Sequence, residues 1–109
     1  MEKQVSYNEI ANCILTILEE HSKIGFETTP YLMAWECIEY YEDRDDLSNK
    51  DRCTIMAIAC DLMDHLKQEG YFKTDMGKFK QIKPVENLEV GCKIVETSFK
   101  FDLSEKLEK

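Results

Sequence analysis

The chain contains no apolar run near the roughly 18 residues that a membrane-spanning helix requires. Its opening, Met1-Glu2-Lys3-Gln4, lacks the basic-then-apolar pattern of a secretion signal. A cytosolic protein with no membrane partner is therefore expected. Five cysteines, Cys13, Cys37, Cys53, Cys60 and Cys92, give an odd count without a C-x-x-C pair, which argues against a disulfide framework and for reduced, buried thiols. The two histidines, His21 and His65, stand alone, and no cysteine pair sits at finger spacing, so no zinc site is expected. The acidic run Asp43-Arg44-Asp45-Asp46-Leu47 fails as a calcium loop. Counted from Asp43, the positions that need glycine and a bidentate glutamate hold Ser48 and Thr54. No catalytic triad, P-loop or glycine-rich dinucleotide turn is present. Cys60 and His65 lie on different sides of a helix, so Cys60 is expected to pack rather than react. These absences point to a protein that is not an enzyme and uses neither metal nor cofactor.

What is present suits one domain. A chain of 109 residues that is 43% hydrophobic and 33% charged supports a single core that buries roughly two thirds of the unfolded surface. The net charge of -8 repels polyanions at long range, yet it is unevenly spread. Between Leu66 and Lys83, Lys67, Lys73, Lys78, Lys80 and Lys83 face only Glu69 and Asp75, a local +3. From Glu36 to Asp51, seven acids outweigh Arg44 and Lys50, a local -5. One face is suited to phosphate while another rejects it.

Three helices are announced by their caps. Ser6 with Glu9 forms a capping box, Val5 and Ile10 are placed as its hydrophobic staple, and the first helix should start near Tyr7. Ile10, Ile14, Ile17 and Leu18, with Ala11 and Leu15, give it a broad core stripe, and Gly25 supplies a stop. Thr29-Pro30 opens a second helix that should reach about Glu42. Its two apolar strips, Tyr31-Ala34-Trp35-Ile38-Tyr41 and Met33-Cys37-Tyr40, predict burial on two sides, by the tail of the chain in preference to a partner. A third helix begins at Ser48 with Asp51 as a second capping pair, and Ile55, Ile58, Ala59, Leu62, Met63 and Leu66 form its core stripe. Its outward positions are Asn49, Lys50, Arg52 and Met56, then Ala57, Cys60, Asp61, Asp64 and Lys67.

Helix three closes on Leu62-Met63-Asp64-His65-Leu66-Lys67-Gln68-Glu69-Gly70-Tyr71-Phe72, a left-handed stop followed by an aromatic pair, and Asp75-Met76-Gly77 fits a hairpin turn. This join resembles the passage from recognition helix to wing in winged helix-turn-helix domains of bacterial and archaeal regulators, a likeness that covers about Tyr7 to Lys83. The resemblance implies a mainly α, α+β fold of three helices and a β-hairpin wing over 1–83. Residues 84–109 would form a C-terminal segment packed on the domain or on a dimer partner. It implies that the wing follows the sugar-phosphate backbone, which gives Lys73, Lys78 and Lys80 a role. It also implies that the start of helix three reads base edges, where Asn49, Lys50 and Arg52 carry the needed donors. Within 84–109, Phe99, Phe101 and Leu103 alternate like a strand while Val90, Ile94 and Val95 are spaced more like a helix. An extended or mixed segment against helix one or two is expected.

Two functional readings follow. The first is a small DNA-binding transcriptional regulator that engages double-stranded DNA as a dimer. The second is an acidic winged-helix module or inhibitor from a mobile element that binds a basic protein instead of DNA. Its contact surface would be Met56, Ala57 and Cys60, with Phe99 and Phe101 as further interface residues.

Overall fold

The computed structural model describes residues 6–40, 47–96 and 98–106. The first helix, α1 (Tyr7–His21), starts at the predicted cap, where the Ser6 hydroxyl accepts from the Glu9 amide at 3.4 Å. Val5, the proposed staple residue, lies outside the described residues. Ile10, Ala11, Ile14, Leu15, Ile17 and Leu18 are buried. Beyond the turn at Gly25, Glu27–Thr28 forms a two-residue strand, β1. Thr29 then caps α2 (Pro30–Glu39) by accepting from the Leu32 amide at 3.2 Å, with Pro30 in the first turn, where it forfeits no helix bond. The helix ends short of the predicted Glu42, which lies outside the described residues, as does the acidic run from Asp43 to Asp46.

A reciprocal capping box launches α3 (Asn49–Gln68). The Ser48 hydroxyl accepts from the Asp51 amide at 3.1 Å, and the Asp51 carboxylate accepts from the Ser48 amide at 3.4 Å. All six residues of the predicted core stripe are buried. Gly70, at φ +90°, ends the helix. Its amide donates to the Lys67 carbonyl at 3.1 Å, and the Tyr71 amide donates to the Leu66 carbonyl at 2.9 Å. This bond pair closes a helix through a left-handed residue, a conformation that glycine adopts without steric cost.

The chain then doubles back as β2 (Phe72–Asp75) and β3 (Lys78–Gln81). Between them Met76 and Gly77 both have positive φ, +51° and +82°, the two-residue turn whose twist matches antiparallel strands. β1 joins the far side of β3, so the sheet order is β1-β3-β2. In β3 the residue that shares the inward face with Phe79 is Gln81, which stands opposite Phe72 and is 1% exposed, whereas Ile82 is 45% exposed. A buried amide at that position is what breaks the apolar alternation in the sequence. Its Nε2 donates to the Lys83 carbonyl at 3.1 Å.

Residues 88–105 are extended and pack on the first helix, as expected, in a form more regular than their spacing implied. They form a regular antiparallel hairpin, β4 (Leu88–Val95) with β5 (Ser98–Glu105), in which Val90 pairs Leu103, Cys92 pairs Phe101 and Ile94 pairs Phe99. The inward row is Leu88, Val90, Cys92 and Ile94. Counting Cys92 as apolar restores the two-residue period that the Val90, Ile94 and Val95 spacing obscured. The hairpin rests on α1 and α3, not on α2. Leu88 and Val90 are buried in the same cluster as the helices, with Phe99, Phe101 and Leu103 packed against it. The expected two-sided burial of α2 is therefore absent. Met33, Ala34, Cys37 and Ile38 are buried, whereas Tyr31, Leu32, Trp35 and Tyr40 are exposed. The architecture is α+β, three helices with small antiparallel sheets, and it is compatible with the layout that the resemblance implies.

Candidate nucleic-acid interface

The sequence-derived site has two parts, and the fold places them separately. In the β2-β3 hairpin, Lys73 stands opposite Lys80, and Asp75 stands opposite Lys78. Strand alternation puts these four side chains on the face away from Phe72 and Gln81, and all four are exposed. Glu27 of β1 lies beside Lys80 in the next strand. Lys73, Lys78 and Lys80 thus share one hollow of about 240 Å³ with Glu27, Asp75 and the turn residue Met76. The juxtaposition of Lys73 and Lys80 is unfavourable in isolation and leaves both ammonium groups available to an anion. Glu27 was not part of the sequence-derived site, because a two-residue strand is too short to show alternation. Lys83 stands apart, its Nζ 4.7 Å from the centre of the Tyr71 ring.

The second part is the opening of α3. The capping box fixes where the helix begins, and Asn49 and Lys50 are exposed in its first turn. Free amides at a helix start favour an anion. Arg52 is half-buried, and its Nε donates to the Leu47 carbonyl at 3.4 Å, so part of its donor set is engaged with the chain entering the helix. Neither hollow that holds the hairpin lysines includes Asn49 or Lys50. Lys78 does adjoin the start of α2, in a hollow with Glu27, Thr28, Thr29 and Leu32.

Further along α3 the outward side is acidic. Asp61, Asp64, His65 and Gln68 form one wall of a cleft of about 290 Å³, and Phe99, Lys100 and Phe101 of β5 form the other. Burial, reinforced by the charge of Asp64, raises the Asp61 carboxyl above its usual range. Burial, with Asp61 as the second cause, raises the thiols of Cys60 and Cys92 as well.

The residues named for a partner contact divide into two groups. Ala57 and Cys60 are exposed on α3, so Cys60 does not serve as core packing. Cys53 is exposed too, which limits the buried-thiol expectation to Cys37 and the half-buried Cys13 and Cys92. Met56 is half-buried against the core. Phe99 and Phe101 are half-buried within their own chain. Phe99 lies 5.0 Å from the ring of Tyr7, and Phe101 lies 6.1 Å from the ring of His65.

Among the described residues, no group of three or more His, Cys, Asp or Glu side chains is placed to share a metal ion. No described helix is long and apolar enough to cross a membrane. Compared with known proteins, the chain matches no family model, no curated protein and no solved structure.

Proposed function

We propose that this chain is a winged-helix protein that binds double-stranded DNA and acts as a small transcriptional regulator. The observation that carries the reading is the lysine-bearing face of the β2-β3 hairpin, where three exposed lysines of the two strands lie together around one hollow. The strand order β1-β3-β2 behind three helices agrees with it. In this reading Lys73, Lys78 and Lys80 hold phosphates, and Asn49 and Lys50 approach the major groove from the first turn of α3. Asp61 and Asp64 keep the later turns of α3 out of the groove, because carboxylates there face phosphate oxygens. The local cluster outweighs the net charge of -8 once phosphates come within a Debye length of roughly 10 Å.

A gel shift with random duplex DNA tests this reading. A complex should form at about 50 mM salt and weaken roughly a hundredfold by about 200 mM, as a handful of phosphate contacts predicts. No complex at the lower salt overturns the proposal.

A second reading, an acidic module for a basic protein, is favoured by the outer side of α2. Tyr31, Leu32 and Trp35 are exposed there, the two rings 6.0 Å apart edge to face, and Glu36 and Glu39 are exposed on the same side. Aromatic faces beside carboxylates suit arginine or lysine side chains. Trp35 is the sole tryptophan, so its emission reports on this surface alone. Titration with an oligoarginine peptide should quench or shift that emission in a saturable way, and Trp35→Phe with Tyr31→Ala should abolish peptide binding measured by calorimetry. An unchanged spectrum counts against this surface.

A further inference from the structure

The two outer edges of the β4-β5 hairpin are served differently. Along β4, Asn12 of α1 bonds Val90 twice, donating from Nδ2 to its carbonyl at 3.0 Å and accepting from its amide at 2.9 Å. One turn earlier, Asn8 Oδ1 accepts from the Cys92 amide at 2.6 Å. The backbone groups of Val90 and Cys92 therefore point away from β5. Bonded and non-bonded pairs alternate along an antiparallel ladder. Leu103 and Phe101, opposite Val90 and Cys92, must then also turn their amides and carbonyls outward, and so must Phe99 opposite Ile94. No described residue bonds those outward groups. One edge is answered by side-chain amides, and the other is an unbonded row of donors and acceptors that borders the cleft between β5 and α3.

An open edge is a template for another strand, and the sequence of β5 shows which strand fits. Ser98-Phe99-Lys100-Phe101-Asp102-Leu103-Ser104 is self-complementary about its centre. We infer that two copies of this chain pair through their β5 edges, antiparallel and centred on Phe101, to form one continuous four-stranded sheet. In that register Ser98 faces Ser104, Phe99 faces Leu103, Lys100 faces Asp102, and Phe101 faces its own copy.

The outward groups leave few alternatives. Because Phe99, Phe101 and Leu103 must supply the bonds, the two neighbouring symmetric registers are centred on Lys100 or on Asp102. The first sets lysine against lysine and the second aspartate against aspartate, and like charges directly opposite destabilise a ladder. The Phe101 register instead makes two Lys100–Asp102 contacts, in non-hydrogen-bonded positions where side chains lie closest. Both residues are exposed on the outer face of the hairpin. On the inner face Phe99, Phe101 and Leu103 are half-buried against their own core and leave apolar surface along the edge for the copy.

Sedimentation velocity on the full chain tests the pairing, run over rising concentration with a thiol reductant because Cys53 and Cys60 are exposed. A species of twice 12.8 kDa is expected to grow in with concentration. Lys100→Asp alone and Asp102→Lys alone should each weaken association about tenfold, since two cross-strand pairs turn from attraction to repulsion. The double exchange, Lys100→Asp with Asp102→Lys, should restore it. Circular dichroism confirms that each variant is folded. A wild-type chain that stays monomeric throughout overturns the inference. So does a dimer that neither single change weakens, or one that the double exchange fails to rescue.

Discussion

Replacing Asn12 with alanine is expected to lower the unfolding free energy by about 2 to 3 kcal/mol, because it removes both hydrogen bonds to Val90, strands a partly buried amide and carbonyl there, and also loses the bond that Nδ2 donates to the Asn8 carbonyl. For a domain of this size the melting temperature should fall by roughly 10 °C. Asn8→Ala should cost less, since Asn8 makes a single bond to β4 and is exposed. Thermal unfolding by circular dichroism measures both. Limited proteolysis adds a local readout, with cleavage within 88–105 expected to accelerate in Asn12→Ala before the rest of the chain is attacked. If Asn12→Ala melts within a degree or two of the parent, the amide does not anchor the hairpin and the edge argument for β4 fails.

Removing the wing charges should have the largest effect on function. With Lys73, Lys78 and Lys80 all changed to glutamine, duplex binding is expected to fall roughly a hundredfold at low salt. The slope of log affinity against log salt should shrink by about three, one for each lost phosphate contact. The three side chains are exposed and point away from Phe72 and Gln81, and the change relieves the Lys73–Lys80 repulsion, so the fold should survive. Asp61→Asn with Asp64→Asn provides the opposite control and should tighten binding, because it removes the carboxylates that oppose phosphate on α3. If the triple variant binds as the parent does, DNA does not lie on the wing.

The helices were legible in the sequence because their ends are written in short-range chemistry. Ser6, Thr29, Ser48 and Gly70 each act within a few residues of themselves, and each sits where the pattern placed it. The turn of the β2-β3 hairpin was legible for the same reason. Long-range partnership was not. Nothing local marks Glu27 as the neighbour of Lys80 or ties Asn12 to a backbone 78 residues away. The extended character of the tail was legible in Phe99, Phe101 and Leu103, whereas its regular pairing was hidden by a cysteine at the apolar position 92, and its placement on α1 and α3 leaves the aromatic side of α2 exposed. The orientation of Arg52 also escaped, since a helical wheel takes no account of the carbonyl that precedes the helix at Leu47.

The bonds from Asn8 and Asn12 join the first helix to nearly the last element, and this sets the order in which the molecule can be completed. Contacts between segments so far apart in sequence form late, after a large loop has closed. During synthesis, the side of α1 destined for β4 has no cover until that strand has left the ribosome. Joining α1 to β4 thus carries the closure entropy of a loop spanning 78 residues, and the two asparagines are the side chains that hold it shut.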